Sequence, residues 1–260
     1  MLTSTDPSEP LHAAEASASL LRAVRIVLVN PSHYGNVGSV ARAMKTMGLV
    51  DLRLVAPRFA DALTHPQAIA LATGASDILE SARMHATLDE AIGDCEWSAA
   101  LTARARELAP AELAPRAAAQ IAVQASSQGQ NAAFVFGSER YGLDNASVIR
   151  CLSYCTIPTS PTYSSLNLAM AVQLIAYECH LAVMGQPGAM PPGPTLATHA
   201  ERELLFAHLE RALLALRFLD PEHHTKLMHR LRRLFGKISL ERDEINILRG
   251  VCTAILENRP

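Results

Sequence analysis

The chain is short of every feature that would mark a disulfide-stapled, zinc-binding or membrane-spanning protein. Its five cysteines fall at irregular spacing with no C-x-x-C pair, so neither a zinc ribbon nor a disulfide framework is indicated. Cys151 and Cys155 come nearest to a ligand pair. With no second pair to match them, they read as buried, reduced thiols of a cytoplasmic protein, and no metal is expected. Aromatic residues are only 5% of the chain while 49% is hydrophobic, so the core must be aliphatic and is large enough to need no staple. No apolar run approaches the roughly 20 residues that cross a bilayer. A secretory signal is also missing: the first basic residue is Arg22, and Asp6, Glu9 and Glu15 interrupt the leading segment. A formal charge of −2 excludes bulk attraction to nucleic acid and leaves only local patches to provide it.

What is present is an alternation of short apolar runs with amphipathic stretches. Residues 1–23, rich in Ala, Ser and Pro, read as a disordered lead-in with a short helix near 13–21. Strands are expected at 25–30, 50–55, 98–101, 132–136 and 154–157, and helices at 37–47, 66–73, 88–92, 110–125 and 165–184. Such alternation predicts an α/β domain over 24–184 with a mainly parallel sheet and helices on both faces. Residues 185–195 (GQPGAMPPGPT) read as a linker, and 196–260 as a small all-helical module. In that module Thr198 and Glu201 have capping-box spacing, Asp220-Pro221 reads as a second helix start, and Ser239 as the cap of a third helix. The middle helix carries Lys226, Arg230, Arg232, Arg233 and Lys237, which form either a solvated face or a contact for a polyanion backbone.

Three polar loops each follow an expected strand: NPSHYGNVGS (30–39), FGSERYGL (136–143) and PTSPTYSSLN (158–167). Ligands of parallel sheets gather at such carboxyl ends, so the three loops point to one composite site. Gly35 and Gly38 are expected to let the backbone approach a ligand. Arg42, about one turn into the following helix, is either an anion site near a positive helix end or the partner of a surface carboxylate. Ser39, Arg42 and Lys45 share a polar helix face. The first loop reads G-x-x-G, not the dinucleotide pattern G-x-G-x-x-G. Ser164 and Ser165 lack a G-x-S-x-G elbow and read as caps or ligand donors. His33, His223, His224 and His229 show no metal-ligand spacing.

The motifs NPSHYGNVGSVARAMKTMGL (30–49), FVFGSERYGL (134–143) and IPTSPTYSSLNLAMAVQLIAYE (157–178) together resemble the SPOUT superfamily of RNA methyltransferases, in its TrmH-like branch and TrmJ type. QAIALATGASD (67–77), TARAR (102–106), LRRLF (231–235) and INILRG (245–250) extend the resemblance to roughly residues 24–257. The resemblance implies a SPOUT fold with a C-terminal trefoil knot, an exception to the rule that chains do not thread. It also implies a homodimer that binds S-adenosylmethionine through Leu101, Thr102, Ala103, Gly137, Ile157, Ser164, Ser165, Leu166 and Asn167. The implied reaction is methyl transfer to a ribose 2′-hydroxyl, with Arg42 in the catalytic position and Asn36, Glu139 and Ser165 as supporting polar groups. RNA would be met by Arg42, Lys45, Arg104, Arg106, Lys226, Arg230, Arg232 and Arg233. The TrmJ-like tail implies tRNA as the substrate, at the pyrimidine of position 32 in the anticodon loop. Alternatives are another tRNA position, ribosomal RNA, or a non-catalytic RNA-binding module.

Overall fold

In a computed structural model, which describes residues 19–103, 110–185 and 195–257, seven strands join in one all-parallel sheet. They are β1 (Val24–Val29), β2 (Asp51–Val55), β3 (Arg83–His85), β4 (Trp97–Leu101), β5 (Ala111–Leu113), β6 (Ala132–Phe136) and β7 (Ser153–Cys155). Their order across the sheet is β3-β2-β1-β6-β4-β7-β5. The central strands VRIVLV, WSAAL and AAFVF are buried almost throughout, as strands covered on both faces must be. Side chains alternate between the faces: Ile26, Leu28, Phe134, Phe136, Ala99 and Leu101 enter the larger core, while Val27, Ala133, Val135 and Ala100 enter the smaller one.

The helices are α1 (Tyr34–Thr46), α2 (Pro66–Ala72), α3 (Ser76–Ser81), α4 (Leu88–Ile92), α5 (Pro115–Ser127), α6 (Asn145–Arg150), α7 (Leu168–Met184), α8 (His199–Ala215), α9 (Thr225–Phe235) and α10 (Arg242–Glu257). The larger core lies under α1, α2, α3, α5 and α7, and the smaller under α4 and α6. The parallel register sets Leu101 level with both Phe136 and Cys155, and Leu28 level with Phe136. The loops leaving β1, β4, β6 and β7 therefore emerge together at one edge. The opposite edge is closed by Arg25, only 3% exposed, which donates to Asp51 (2.7 Å), to Asp94 (2.5 and 2.9 Å) and to the Ala91 carbonyl (2.7 Å).

Several expected boundaries move. Residues 19–22 form a helical turn and Leu21 is buried in the larger core, so the folded domain begins before residue 24; the rest of the lead-in lies outside the described residues. The helix expected at 110–125 is the edge strand β5 followed by α5, which starts at Pro115 because proline suits a first helical turn. The helix expected from Ser165 begins at Leu168, where Asn167 caps it by accepting from the Ala169 amide. In the C-terminal module the Thr198–Glu201 capping box forms as expected. Residues 221–223 make only a turn before α9, and α10 begins after Glu241, so neither Pro221 nor Ser239 opens a helix. The expected linker lies almost wholly outside the described residues. The module nonetheless docks firmly: the His199 and Ala200 amides donate to the carbonyls of Cys95 and Gly93, at 2.8 and 3.0 Å.

All five cysteines are buried and unbridged, and burial pushes the thiols of Cys95, Cys151 and Cys155 up to about 12. No helix among the described residues is long and apolar enough to cross a membrane.

Candidate active site

The loops after β4, β6 and β7 enclose a cleft of about 280 Å³. Eight residues expected to meet the cofactor line it: Leu101, Thr102, Ala103, Gly137, Ile157, Ser164, Ser165 and Leu166. Asn167, the ninth, is not among the lining residues; it caps α7 and donates to Asn36 instead. Sequence reasoning missed Thr159, Leu168, Ala171 and the turn residues Ser138 and Arg140–Leu143 as lining. The turn lay inside a quoted motif, but nothing in its spacing revealed that it folds over the cleft. Gly142 sits at φ +68° and donates to the Ser138 carbonyl (2.9 Å), which closes the turn. A Cβ on Gly137 would lie 2.1 Å from the Gly142 carbonyl carbon and 2.2 Å from the Leu143 nitrogen, so only glycine lets this turn fold against its own base.

A chain of hydrogen bonds ties three loops together beside the cleft. Asn36 donates to Glu139 Oε1 (2.9 Å), and Ser32 donates to Oε2 from its hydroxyl (2.8 Å) and its amide (3.0 Å). Asn167 Nδ2 donates to Asn36 Oδ1 at 3.2 Å. Partial burial alone would raise the Glu139 pKa, but donation from Asn36, its own amide and Ser32 holds the carboxyl below the ordinary carboxylate value of 4.5. Glu139 is thus an ionised clamp on Asn36 rather than a spare base.

This arrangement predicts a pH signature. Because the folded-state pKa is lowered, the stabilisation from Glu139 is complete above the unfolded value and is lost as the pH falls through the folded one. Melting midpoints of wild type and Glu139→Gln should differ most near neutrality, and the gap should close below pH 4.5. A gap that is constant with pH would mean that ionised Glu139 contributes no stability of its own.

Helix α1 lies along α7, tied to it by the Asn36–Asn167 bond and by Thr46 to Gln173 (3.2 Å). Arg42 lies between the two ties, one turn before Thr46. It is exposed and makes no ion pair among the described residues. Because α1 begins at Tyr34, Arg42 is more than two turns inside it, beyond reach of the helix's positive end, and that expected electrostatic aid is absent. No hydrogen bond joins Arg42 or Ser165 to the Glu139–Asn36 chain.

The glycines of the first loop serve packing instead of ligand approach. A Cβ on Gly38 would lie 2.0 Å from the Ala68 carbonyl oxygen, and one on Gly35 would meet the Leu71 and Gln67 side chains. Lys45 pairs with Asp77 at 2.7 Å on the surface, and Arg232 is engaged by Glu203. Arg104 and Arg106 lie outside the described residues. No trio of His, Cys, Asp or Glu side chains among the described residues could hold a metal ion.

Two family models match the chain: the SpoU rRNA Methylase family over residues 23–177, and the tRNA methyltransferase TrmJ, C-terminal domain over 200–259. The tRNA (cytidine/uridine/adenosine-2'-O-)-methyltransferase TrmJ of Pseudomonas aeruginosa is 43% identical over 244 residues, covering 90% of this chain and 94% of that protein. The tRNA (cytidine/uridine-2'-O-)-methyltransferase TrmJ of Klebsiella pneumoniae is 45% identical, covering 91% of this chain and 97% of its own length. Among solved structures, TrmJ from Z. mobilis ZM4 superposes with a TM-score of 0.77 at 36% identity, over 90% of this chain and 99% of that one.

Proposed function

Because the chain belongs to the SpoU rRNA methylase family and carries a TrmJ-type C-terminal domain, we propose that it methylates the ribose 2′-hydroxyl of the pyrimidine at position 32 in the tRNA anticodon loop. The broader activity, S-adenosylmethionine-dependent RNA methylation, follows from its relatives, TrmJ enzymes matched over nine-tenths of this chain. The observation that carries the proposal is the convergence of the loops after β4, β6 and β7 on one cleft, with the first polar loop tied beside it through the hydrogen bonds of Asn36, Glu139 and Asn167. An anticodon loop suits such a site, because splayed nucleotides expose their 2′-hydroxyls. A tRNA substrate places the reaction in the cytoplasm.

The cleft fits S-adenosylmethionine in chemistry. Leu101, Ile157, Leu166 and Leu168 give it an apolar floor, while Thr102, Ser164 and Ser165 give it polar edges. The bound cofactor supplies an electrophilic methyl group. The protein's own task is then to align the hydroxyl oxygen and ease loss of its proton. A guanidinium holds its proton too tightly to be a good base. Arg42 therefore grips the adjacent phosphate and stabilises the alkoxide as it develops, and the phosphate or a water accepts the proton. Asn36, clamped by Glu139, orients the ribose, and Ser165 donates from the cleft edge. Helix α7 leaves Met170, Leu174, Tyr177 and Met184 exposed at roughly helical spacing. This apolar stripe is the surface on which a second copy completes the site.

The test is methyl transfer from labelled S-adenosylmethionine to an unmodified tRNA transcript, with the modified nucleotide mapped. Label on the ribose of pyrimidine 32 is expected. Label at another nucleotide would keep the chemistry and overturn the target. Bound cofactor without label on any RNA would overturn the enzymatic reading.

A further inference from the structure

The basic helix α9 is not uniformly free to meet RNA. Lys226, Arg230 and Arg233 are exposed and make no ion pair among the described residues. Arg232 points the other way. It forms a bidentate pair with Glu203 on α8, with the second contact at 2.9 Å, and its guanidinium lies 4.5 Å over the Phe206 ring. Phe206 meets Phe235 of the same α9 edge-on at 6.1 Å. Glu203 also faces Arg150 at the end of α6 (3.5 Å), and Arg150 pairs with Asp89 on α4 (2.5 Å). The second Asp89 oxygen lies 3.0 Å from Nε2 of His199, whose side chain is 2% exposed. Charges alternate along this line, which runs from α4 and α6 of the sheet domain through α8 to α9.

Isolated surface pairs contribute little, but a bidentate arginine fork in a partly buried row holds its partners in one geometry. We infer that the ladder Asp89–Arg150–Glu203–Arg232 is a strut that sets the angle of α9 to the cofactor-site domain, with Arg232 a positioning residue and not an RNA contact. The inference rests on the reading that α9 meets the tRNA. It explains why one basic helix contains cations facing opposite ways: three face solvent, and one holds the helix at the distance that lets RNA reach both α9 and the cleft.

The two roles differ in salt dependence. Loss of a phosphate contact lowers the slope of log K against log salt by about one, whereas loss of a strut weakens binding without changing that slope. The experiment uses the full chain with spin labels introduced by Gln120→Cys on α5 and Thr225→Cys on α9; the five native thiols are buried. In Glu203→Gln the inter-label distance distribution should broaden. tRNA affinity should fall three- to tenfold at unchanged slope, and KM for tRNA should rise at constant kcat. Arg232→Gln should broaden the distribution and weaken binding in the same way at unchanged slope, whereas loss of a phosphate contact would lower the slope by about one. An unchanged distance distribution, tighter binding or a steeper slope in Glu203→Gln would overturn the strut. If Lys226→Ala, Arg230→Ala and Arg233→Ala all leave the slope as in wild type, it is the RNA reading of α9 that fails. The label pair still decides the strut.

Discussion

Arg42→Ala is expected to lower kcat for methyl transfer by about 10²–10³, the effect of removing one well-placed donor to a developing oxyanion. Cofactor affinity should stay within about twofold, and the melting midpoint should barely move, because surface substitutions away from special features change stability by less than about 0.5 kcal/mol. Both expectations follow from the position of Arg42: exposed, without an ion pair among the described residues, and outside the cleft lining. Single-turnover methyl transfer beside calorimetric binding of S-adenosylmethionine separates the two effects. A variant that binds the cofactor normally and methylates at the wild-type rate would remove Arg42 from the mechanism. Arg42→Lys is informative as well. Lysine keeps the charge but loses the planar fork that grips a phosphate, so it should recover only a small part of the rate.

Gly38→Ala carries the largest expected stability effect. On helix propensity alone the change would stabilise the chain by about 1 kcal/mol. The structure reverses the sign: the added carbon would lie 2.0 Å from the Ala68 carbonyl oxygen and 2.8 Å from its carbonyl carbon, and these are backbone atoms of α2 that cannot rotate away. Helices α1 and α2 must separate, at a cost of about 3 kcal/mol, near the upper end for an overpacked core. Because α1 also carries Asn36 and Arg42, activity should fall more than the loss of folded protein explains. Chemical denaturation together with kcat of the folded fraction measures both. A stabilised Gly38→Ala would mean that the two helices are not packed this closely. Gly35→Ala is the control: its new contacts are the side chains of Leu71 and Gln67, whose flexible ends can shift.

Much of the architecture was readable from local pattern. Runs such as VRIVLV and AAFVF are apolar at every position but Arg25 and β-branched or aromatic at most, which suits a strand covered on both faces. The Thr198–Glu201 capping box announced α8 because both halves of the motif sit within one turn of sequence. The failures have different causes. Ala111–Leu113 is a strand because β7, distant in sequence, offers it an open edge. Pro221 does not start a helix although proline suits that position; there Asp220 accepts from the Glu222 amide and holds a local turn.

The site divides in the same way. The residues of its three loops could be named from their motifs, and eight of the nine expected cofactor residues line one cleft. What the sequence by itself determined is which segments alternate, which stretches bury both faces, and which loops carry polar chemistry at strand ends. These depend on interactions within a turn or two of the chain. Only the tertiary structure decided that Asn167 holds Asn36 across 131 positions, that Gly38 admits a neighbouring carbonyl, and that Arg232 faces Glu203 instead of solvent. A hydrogen bond, a close approach or an ion pair depends on where two backbones meet in space. That meeting is set by the packing of the whole sheet and its helices, which no local spacing encodes.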